Sequence, residues 1–415
     1  MNDSSENRDM ANLYFARLPV FDTRTNIWGY ELVHVPGTDE EQDTDTIASD
    51  LASSTYMALQ QIMDRGRKVM VNFTWKNILD RLPYALPPAN AAVKIIDPEG
   101  ISFAAIESIT QLKDDGYLIV ADWMPASESW PKVFELADVI NLDVSDLTLP
   151  DIEYVAGSAK LRKSRVLAFH VDGRACFDIC SKAGVSLFQG SFFKQPELVS
   201  VQKISSAGIS KFELMKAIEH KDPDFEKLAE IIQADVGISF RLLSYLNSAS
   251  FGFRQKIQSI KDAITMLGWR NLKNWLRIAL IADMGENSRH GSELVFLSAQ
   301  RGKFLEQVCI DHDFWGFKPD SLFLLGMFSL LDALLNQPME EIVKFLPLAD
   351  KLKAALCRQG NNEYVPLLNL AQFMEELEFD KSETLINQLG LDTAKVKKAY
   401  HGSVEWAGQL SRMQS

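Results

Sequence analysis

The sequence predicts two domains of different architecture, an α/β barrel of the TIM type followed by an all-helical domain. Three observations carry this expectation. The chain has 415 residues, more than one hydrophobic core usually organises. From about residue 12 to 196, short apolar runs alternate with helix-length segments, as repeated strand–helix units require. After Pro196 those runs cease and apolar residues recur at helical spacing.

In the first half the runs are Val69 to Phe73, Ala92 to Asp97, Tyr117 to Asp122, Val139 to Asp143 and Arg165 to Val171, with Phe103 to Asp115 as a helix between them. Their apolar residues fall at successive positions, which implies strands buried on both faces, as in a parallel sheet. Several runs finish in a polar residue: Asn72, Asp97, Asp122, Asp143 and Asp172. Barrels of this kind carry their ligand chemistry at the C-terminal strand ends, so these residues are expected around one mouth.

In the second half, Pro223 to Ile232 has helical spacing with Asp222 as N-cap. Further helices are expected over Ile238 to Leu246, Ile260 to Leu267, Leu272 to Ala282, Leu294 to Cys309 and Leu322 to Leu335, punctuated by Gly252, Gly268, Pro319 and Pro338. Asn247 to Ser259 reads as a core-closing turn, with a partner contact as the alternative, and Trp269, Trp275 and Phe304 read as core residues, with interface hot spots as the alternative. The expected organisation is a disordered terminus over 1–11, the barrel domain over 12–200, the helical domain over 201–400 and a tail over 401–415. The linker is expected near Pro196 to Ser206.

Composition is that of a globular protein, with 47% hydrophobic and 24% charged residues. The formal net charge of −13 repels phosphate backbones, so neither nucleic acid nor an anionic membrane is an expected partner. The densest basic stretch, Lys160 to Arg165, reads as a solvated helix end. Cys176, Cys180, Cys309 and Cys357 show no metal-site spacing and are expected as reduced thiols, with Cys176 and Cys180 on one helix face. No apolar stretch reaches membrane-spanning length and Met1 to Met10 is no secretory signal, so the expected location is the cytoplasm.

Certain segments resemble a known family. Phe15 to Asp22 followed by Trp28 to Val33 is similar to the opening of EAL domains, closest to the branch in which a shortened EAL domain is fused to an HDOD domain. Phe188-Gln189-Gly190-Ser191-Phe192-Phe193-Lys194-Gln195-Pro196 resembles the segment that closes EAL domains. Ile231 to Gly237, Leu242 to Ala249 and Ile260 to Gly268 resemble HDOD, and Leu325 to Asp332 the C-terminal part of the same fusion. The resemblance spans about residues 12 to 390 in the family's order. It implies a shortened EAL barrel joined to an HDOD helical domain.

Active EAL domains hydrolyse cyclic di-GMP with two divalent metals and an activated water, chemistry that needs several hard oxygen ligands. By resemblance, Glu31 matches the motif glutamate, Asn72 the motif asparagine and Asp122 the second aspartate of the Asp-Asp pair. Asp143 and Gln189 are also kept. Five positions are substituted. Lys94 stands for a motif glutamate, Ala121 for the first aspartate of the pair, and Asn141 for the lysine near the attacking water. Phe169 stands for the glutamate that serves metal and water, and Val35 for the phosphate-contacting arginine. Trp123-Met124-Pro125-Ala126 replaces loop glycines. The expectation is a degenerate phosphodiesterase with no catalytic residues, no metal and no cofactor. Asp97, Asp143 and Asp172 are the residues from which a site could be rebuilt, and Phe169 could stack on a base.

HDOD domains are related to HD-type metal phosphohydrolases but lack their metal-binding residues. Of the six histidines, His312 is followed by Asp313 yet reads as a helix-end pair, and His290 alone is no metal site. The leading expectation is a non-catalytic regulator that contacts signalling or motility proteins through its HDOD domain, in pathways of motility or biofilm control. A homodimer is possible. The rivals are a cyclic di-GMP receptor without hydrolysis, though binding is not expected, and an active phosphodiesterase.

Overall fold

The computed structural model describes residues 14–35, 66–96, 102–124, 130–195, 206–220, 268–284, 290–312 and 316–411, together with Ile232, Ile238 and Leu242. The chain divides into two compact units, Met1–Phe192 and Phe193–Ser415. The division precedes residue 200 because Phe193 and Lys194 bury their side chains with the second unit, against His290 and Glu375.

The first unit is a closed eight-stranded barrel, as expected. Its strands are β1 (Tyr14–Asp22), β2 (Ile27–Val35), β3 (Lys68–Phe73), β4 (Ala91–Ile95), β5 (Leu118–Asp122), β6 (Val139–Asp143), β7 (Arg165–Phe169) and β8 (Leu187–Phe188). β3 to β7 are the five apolar runs seen in the sequence. From β2 through β8 neighbours pair in parallel, whereas β1 lies antiparallel to both β2 and β8. The reversal is set locally. Asp22 Oδ1 accepts from the backbone of Arg24 at 2.8 Å and of Asn26 at 2.9 Å, which makes a tight turn. A turn this short can join only antiparallel neighbours.

Helices follow the parallel strands in turn: α1 (Trp75–Leu79), α2 (Phe103–Asp114), α3 (Trp130–Leu136), α4 (Leu149–Leu161) and α5 (Arg174–Lys182). Their starts are written in the sequence. Thr74 and Asn77 form a capping box, Ser102 Oγ accepts from Ala105 N, and Thr148 with Asp151 caps α4.

Strand side chains alternate between the two faces of a sheet. One alternate set, Val20, Met70, Ala92, Val120, Val139, Leu167 and Leu187, forms a dry plug inside the barrel. Two residues further along the strands, on the same inward face, come Asn72, Lys94, Asp122, Asn141, Phe169 and Gln189. The mouth ring is therefore the plug shifted by one pleat.

Gly190 closes the barrel by a close approach. Its φ is +152°, and a Cβ there would lie 2.4 Å from Val171 O. Only glycine fits between Gln189 O, which accepts from Val171 N, and Val171 O, which accepts from Phe192 N. Phe21, Phe177, Phe188 and Phe192 pack beside it, with centroid separations from 4.4 Å to 6.4 Å.

Among its described residues the second unit is helical, as expected: α6 (Ser206–Glu219), α7 (Trp269–Met284), α8 (Gly291–His312), α9 (Pro319–Phe328), α10 (Leu331–Leu335), α11 (Met339–Ile342), α12 (Asp350–Leu356), α13 (Val365–Glu375), α14 (Phe379–Leu389) and α15 (Thr393–Ser411). The 22-residue α8 is central. Gly326 lets α9 approach it, since a Cβ would meet the Arg301 carbonyl at 2.5 Å. Trp275 and Phe304 are core residues and Trp269 is half-buried.

The structure corrects two expectations. The single helix over Leu322 to Leu335 is broken at Ser329 and Leu330, because Ser329 Oγ bonds the Gly326 carbonyl and Arg301 instead of lying free. The tail from residue 401 is helical through Ser411, because Ser403 and Ala407 supply a buried face that continues from Val396, Ala399 and Tyr400. The expected disordered terminus, Asp97, the helices over 223–232, 238–246 and 260–267, and the turn over 247–259 lie outside the described residues, save Ile232, Ile238 and Leu242. Among the described residues no helix is long and apolar enough to cross a membrane.

Candidate functional site at the barrel mouth

The polar ring is organised around Lys94. Its ammonium lies 2.9 Å from Glu31 Oε1 and 3.9 Å from Asp122 Oδ1, with its side chain only 13% exposed. The Phe169 ring stands 5.8 Å away, within cation–π range. Burial alone would lower the Lys94 pKa. The Glu31 and Asp122 charges and the Glu31 hydrogen bond outweigh it and hold the pKa above the ordinary lysine value. Lys94 is therefore a cation at neutral pH.

Each carboxylate has further partners. Glu31, buried at 4% exposure, accepts from Gln189 Nε2 at 2.9 Å through Oε2. Asp122 Oδ1 accepts from Asn141 Nδ2 at 2.5 Å. Pairing explains this second contact, because Asp122 and Asn141 are directly opposite across β5 and β6. Asn72 lies opposite Lys94 on β3, and its Oδ1 is buried with no hydrogen-bond partner. Asn141 Oδ1 is in the same condition.

The structure thus brings together Glu31, Lys94, Asp122, Asn141, Phe169 and Gln189, with Asn72 at the same level. Ala121, on the opposite face of β5, is fully buried. Val35 ends β2. Asp143 belongs to a separate, more exposed cluster: it accepts from Ser145 Oγ at 2.7 Å and contacts His170 Nδ1 at 3.0 Å. Burial pushes the Asp143 carboxyl up, but the Ser145 hydrogen bonds and His170 outweigh it and hold it below the ordinary value. His170, a residue the sequence does not single out, adopts φ +59°, a left-handed backbone uncommon outside glycine. Asp172 accepts from Ser191 Oγ at 2.8 Å. Asp143 and Asp172 are therefore engaged with loop partners and not with the Glu31 cluster.

A divalent pair does not fit this arrangement. Both Glu31 oxygens are committed, one to an ammonium, and Asp122 Oδ1 is shared between an amide and that ammonium. The two acceptors without partners are neutral amide oxygens. Unit charges 4 Å apart repel by about 4 kcal/mol at an effective dielectric of 20, so a dication beside Lys94 meets roughly twice that. Among the described residues, no three His, Cys, Asp or Glu side chains group as a metal site.

In the second unit two buried arginines are paired with carboxylates. Arg277 donates to both Glu219 oxygens at 2.6 Å and 2.8 Å, and Lys273 joins them. Glu375 is held by Arg301 at 2.6 Å and Lys194 at 2.7 Å. His312 serves the packing of two helices. Its Nε2 accepts from the Asp392 backbone N–H at 3.0 Å, and its Nδ1 lies 2.9 Å from Val308 O. The ring therefore caps the start of α15 from the end of α8. His290 is buried beside Phe193.

A closed α/β barrel followed by a helical unit is the arrangement that the resemblance to EAL–HDOD fusions implies. Residues 210–312 match the HDOD domain family. The whole chain is similar to the uncharacterised protein YuxH of Bacillus subtilis, at 28% identity over 410 residues covering 96% of this chain and 98% of YuxH. It is also similar to the cyclic di-GMP phosphodiesterase CdgJ of Vibrio cholerae, at 28% identity over 411 residues covering 97% of this chain and 94% of CdgJ. Among solved structures, an EAL domain protein from Listeria monocytogenes aligns at TM-score 0.39 and 15% identity over 44% of this chain and 87% of that one. Klebsiella pneumoniae BlrP1 in a calcium and cyclic di-GMP complex aligns at 0.37 and 16%, over 43% and 54%.

Proposed function

We propose that this chain is a non-hydrolytic cytoplasmic regulator in cyclic di-GMP-linked pathways, such as motility or biofilm control, acting through protein contacts of its HDOD half. One observation carries the loss of chemistry. The Lys94 ammonium sits 2.9 Å from Glu31 and 3.9 Å from Asp122, the two carboxylates a metal pair would need. Two-metal hydrolysis requires anionic oxygens free to bridge ions and activate water. Here they are neutralised by a side chain of the protein itself. Phe169, which the resemblance sets where active relatives carry a glutamate, adds no proton acceptor.

The pathway is supported by similarity along nearly the whole chain to a protein named a cyclic di-GMP phosphodiesterase. The adaptor role is supported by the helical unit, where the buried Arg277 and Arg301 are paired with Glu219 and Glu375 and packed helices offer surfaces suited to a partner helix or peptide. That same relative favours the second reading, hydrolysis by this chain.

Purified protein incubated with cyclic di-GMP and Mg²⁺ or Mn²⁺ separates the two. The expected result is no turnover above the blank, with Glu31→Ala indistinguishable from wild type. Turnover that Glu31→Ala abolishes would overturn the regulatory reading. Affinity capture with the full chain from its native host, read by mass spectrometry, then identifies the partner.

A further inference from the structure

We infer that Lys94 is a covalently tethered counter-ion. It does for the barrel mouth the electrostatic work that a divalent cation would otherwise do, and its removal uncovers a cation site. The inference shares the mouth geometry with the regulatory reading but concerns how the barrel stays folded.

Glu31 is almost fully buried, and an ionised carboxylate so placed requires a compensating cation or a protonated form. Among the described residues, Lys94 is the cation paired with it. The placement is built in by the strand period: Lys94 stands one pleat beyond Ala92 of the dry plug, so its stem rises from the plug and its head meets the ring. From β4 it reaches Glu31 on β2 and Asp122 on β5. One ammonium thus ties three strands together across the barrel interior, as a bridging ion would. The Phe169 ring stands 5.8 Å from the same ammonium.

Without Lys94, the mouth holds two carboxylates and the amide oxygens of Asn72 and Asn141, which have no hydrogen-bond partner. That donor set is all oxygen, the type that Mg²⁺ and Mn²⁺ prefer. Lys94→Glu would add a third carboxylate at the centre of the ring.

The test is thermal melting of the full chain, in EDTA and across a Mn²⁺ titration, for wild type, Lys94→Ala, Lys94→Glu and each variant combined with Glu31→Gln. Wild type is expected to melt at the same temperature in both conditions. Both single variants are expected to melt lower in EDTA and to recover saturably with Mn²⁺, with Lys94→Glu binding about tenfold more tightly than Lys94→Ala. Recovery is expected to vanish with Glu31→Gln.

Should the single variants fail to fold in EDTA, the neutral pair Glu31→Gln/Lys94→Met is expected to fold and ignore Mn²⁺, which supports the counter-ion role. Failure of that pair as well would overturn it, since shape and not charge would then be at stake. A Glu31-dependent Mn²⁺ shift in wild type, a Lys94→Ala protein as stable as wild type in EDTA, or folded Lys94 variants that ignore Mn²⁺ would each overturn it. The last result, in a wild type that does not hydrolyse cyclic di-GMP, would remove this inference and leave the regulatory reading standing.

Discussion

Gln189 and Glu31 lie 158 residues apart and share a 2.9 Å hydrogen bond inside the barrel. The bond joins the segment after the last strand to β2, at the level where the mouth ring begins. Truncation of Gln189 removes the Oε2 partner of a buried carboxylate, and hydrogen bonds to charged groups are worth about 1.5–3 kcal/mol. Gln189→Ala is expected to lower the unfolding free energy by that amount, read from the midpoint shift in a urea titration. An unchanged midpoint would show that the bond contributes nothing.

Gly190, the next residue, is held at φ +152° against Val171. Gly190→Ala is expected to cost about 1–3 kcal/mol from backbone strain alone, and more from the clash. Loss of near-ultraviolet circular dichroism at lower temperature than wild type is the measurement. Gly66, whose φ is +69° but whose added Cβ would meet nothing within 4 Å, is the milder comparison.

Burial pushes the Glu219 and Glu375 carboxyls up. Arg277 and Lys273 in one case, and Arg301 and Lys194 in the other, outweigh it and hold both below the ordinary glutamate value of 4.5. Because folding depresses these pKa values, their contribution to stability is complete above about pH 4.5 and is lost as the pH falls through the folded-state values. The melting temperature is therefore expected to be flat in this respect near neutrality and to drop below pH 4.5. Glu219→Gln should lower stability at pH 7 and flatten the acid slope. A slope unchanged in both Glu219→Gln and Glu375→Gln would contradict the assignment.

Loss of Glu375 would leave the buried Arg301 without its paired carboxylate and Lys194 with Glu376 alone, at 3.2 Å. Breaking one partner of a buried pair typically costs about 3–5 kcal/mol. Glu375→Ala is expected in that range by denaturant unfolding. Glu341→Ala, whose pair with Lys344 is exposed, is expected to change stability by less than about 1 kcal/mol.

His312→Ala should free the Asp392 backbone N–H and fray the start of α15. Faster hydrogen exchange at Asp392 is the readout, with a stability loss of about 1 kcal/mol. Exchange no faster than in wild type would show that the ring does not hold that amide.

The central strands are readable in the sequence because β3 to β7 are buried on both faces, so each is a continuous apolar run. β8 is two residues long and carries too little pattern to be seen. α11 and α12 escape a reading of periodicity because they have only four and seven residues. The part of the last helix from residue 401 reads as a tail for a different reason: its buried face is sparse, with Ser403 and Ala407 standing where large apolar residues would have announced it.

By itself the sequence determined the alternation of strands and helices in the first unit and the helical character of the second. These follow from local patterns, because strands buried on both faces read as continuous apolar runs and helices repeat their apolar residues at helical spacing. Only the tertiary structure decided which ring residues touch: that Lys94 reaches Glu31 and not Asp143, that Asp143 turns to His170, and that His312 caps a helix far along the chain. Those partnerships depend on how the strands stagger as the barrel closes and how helices cross, distances that no local pattern encodes.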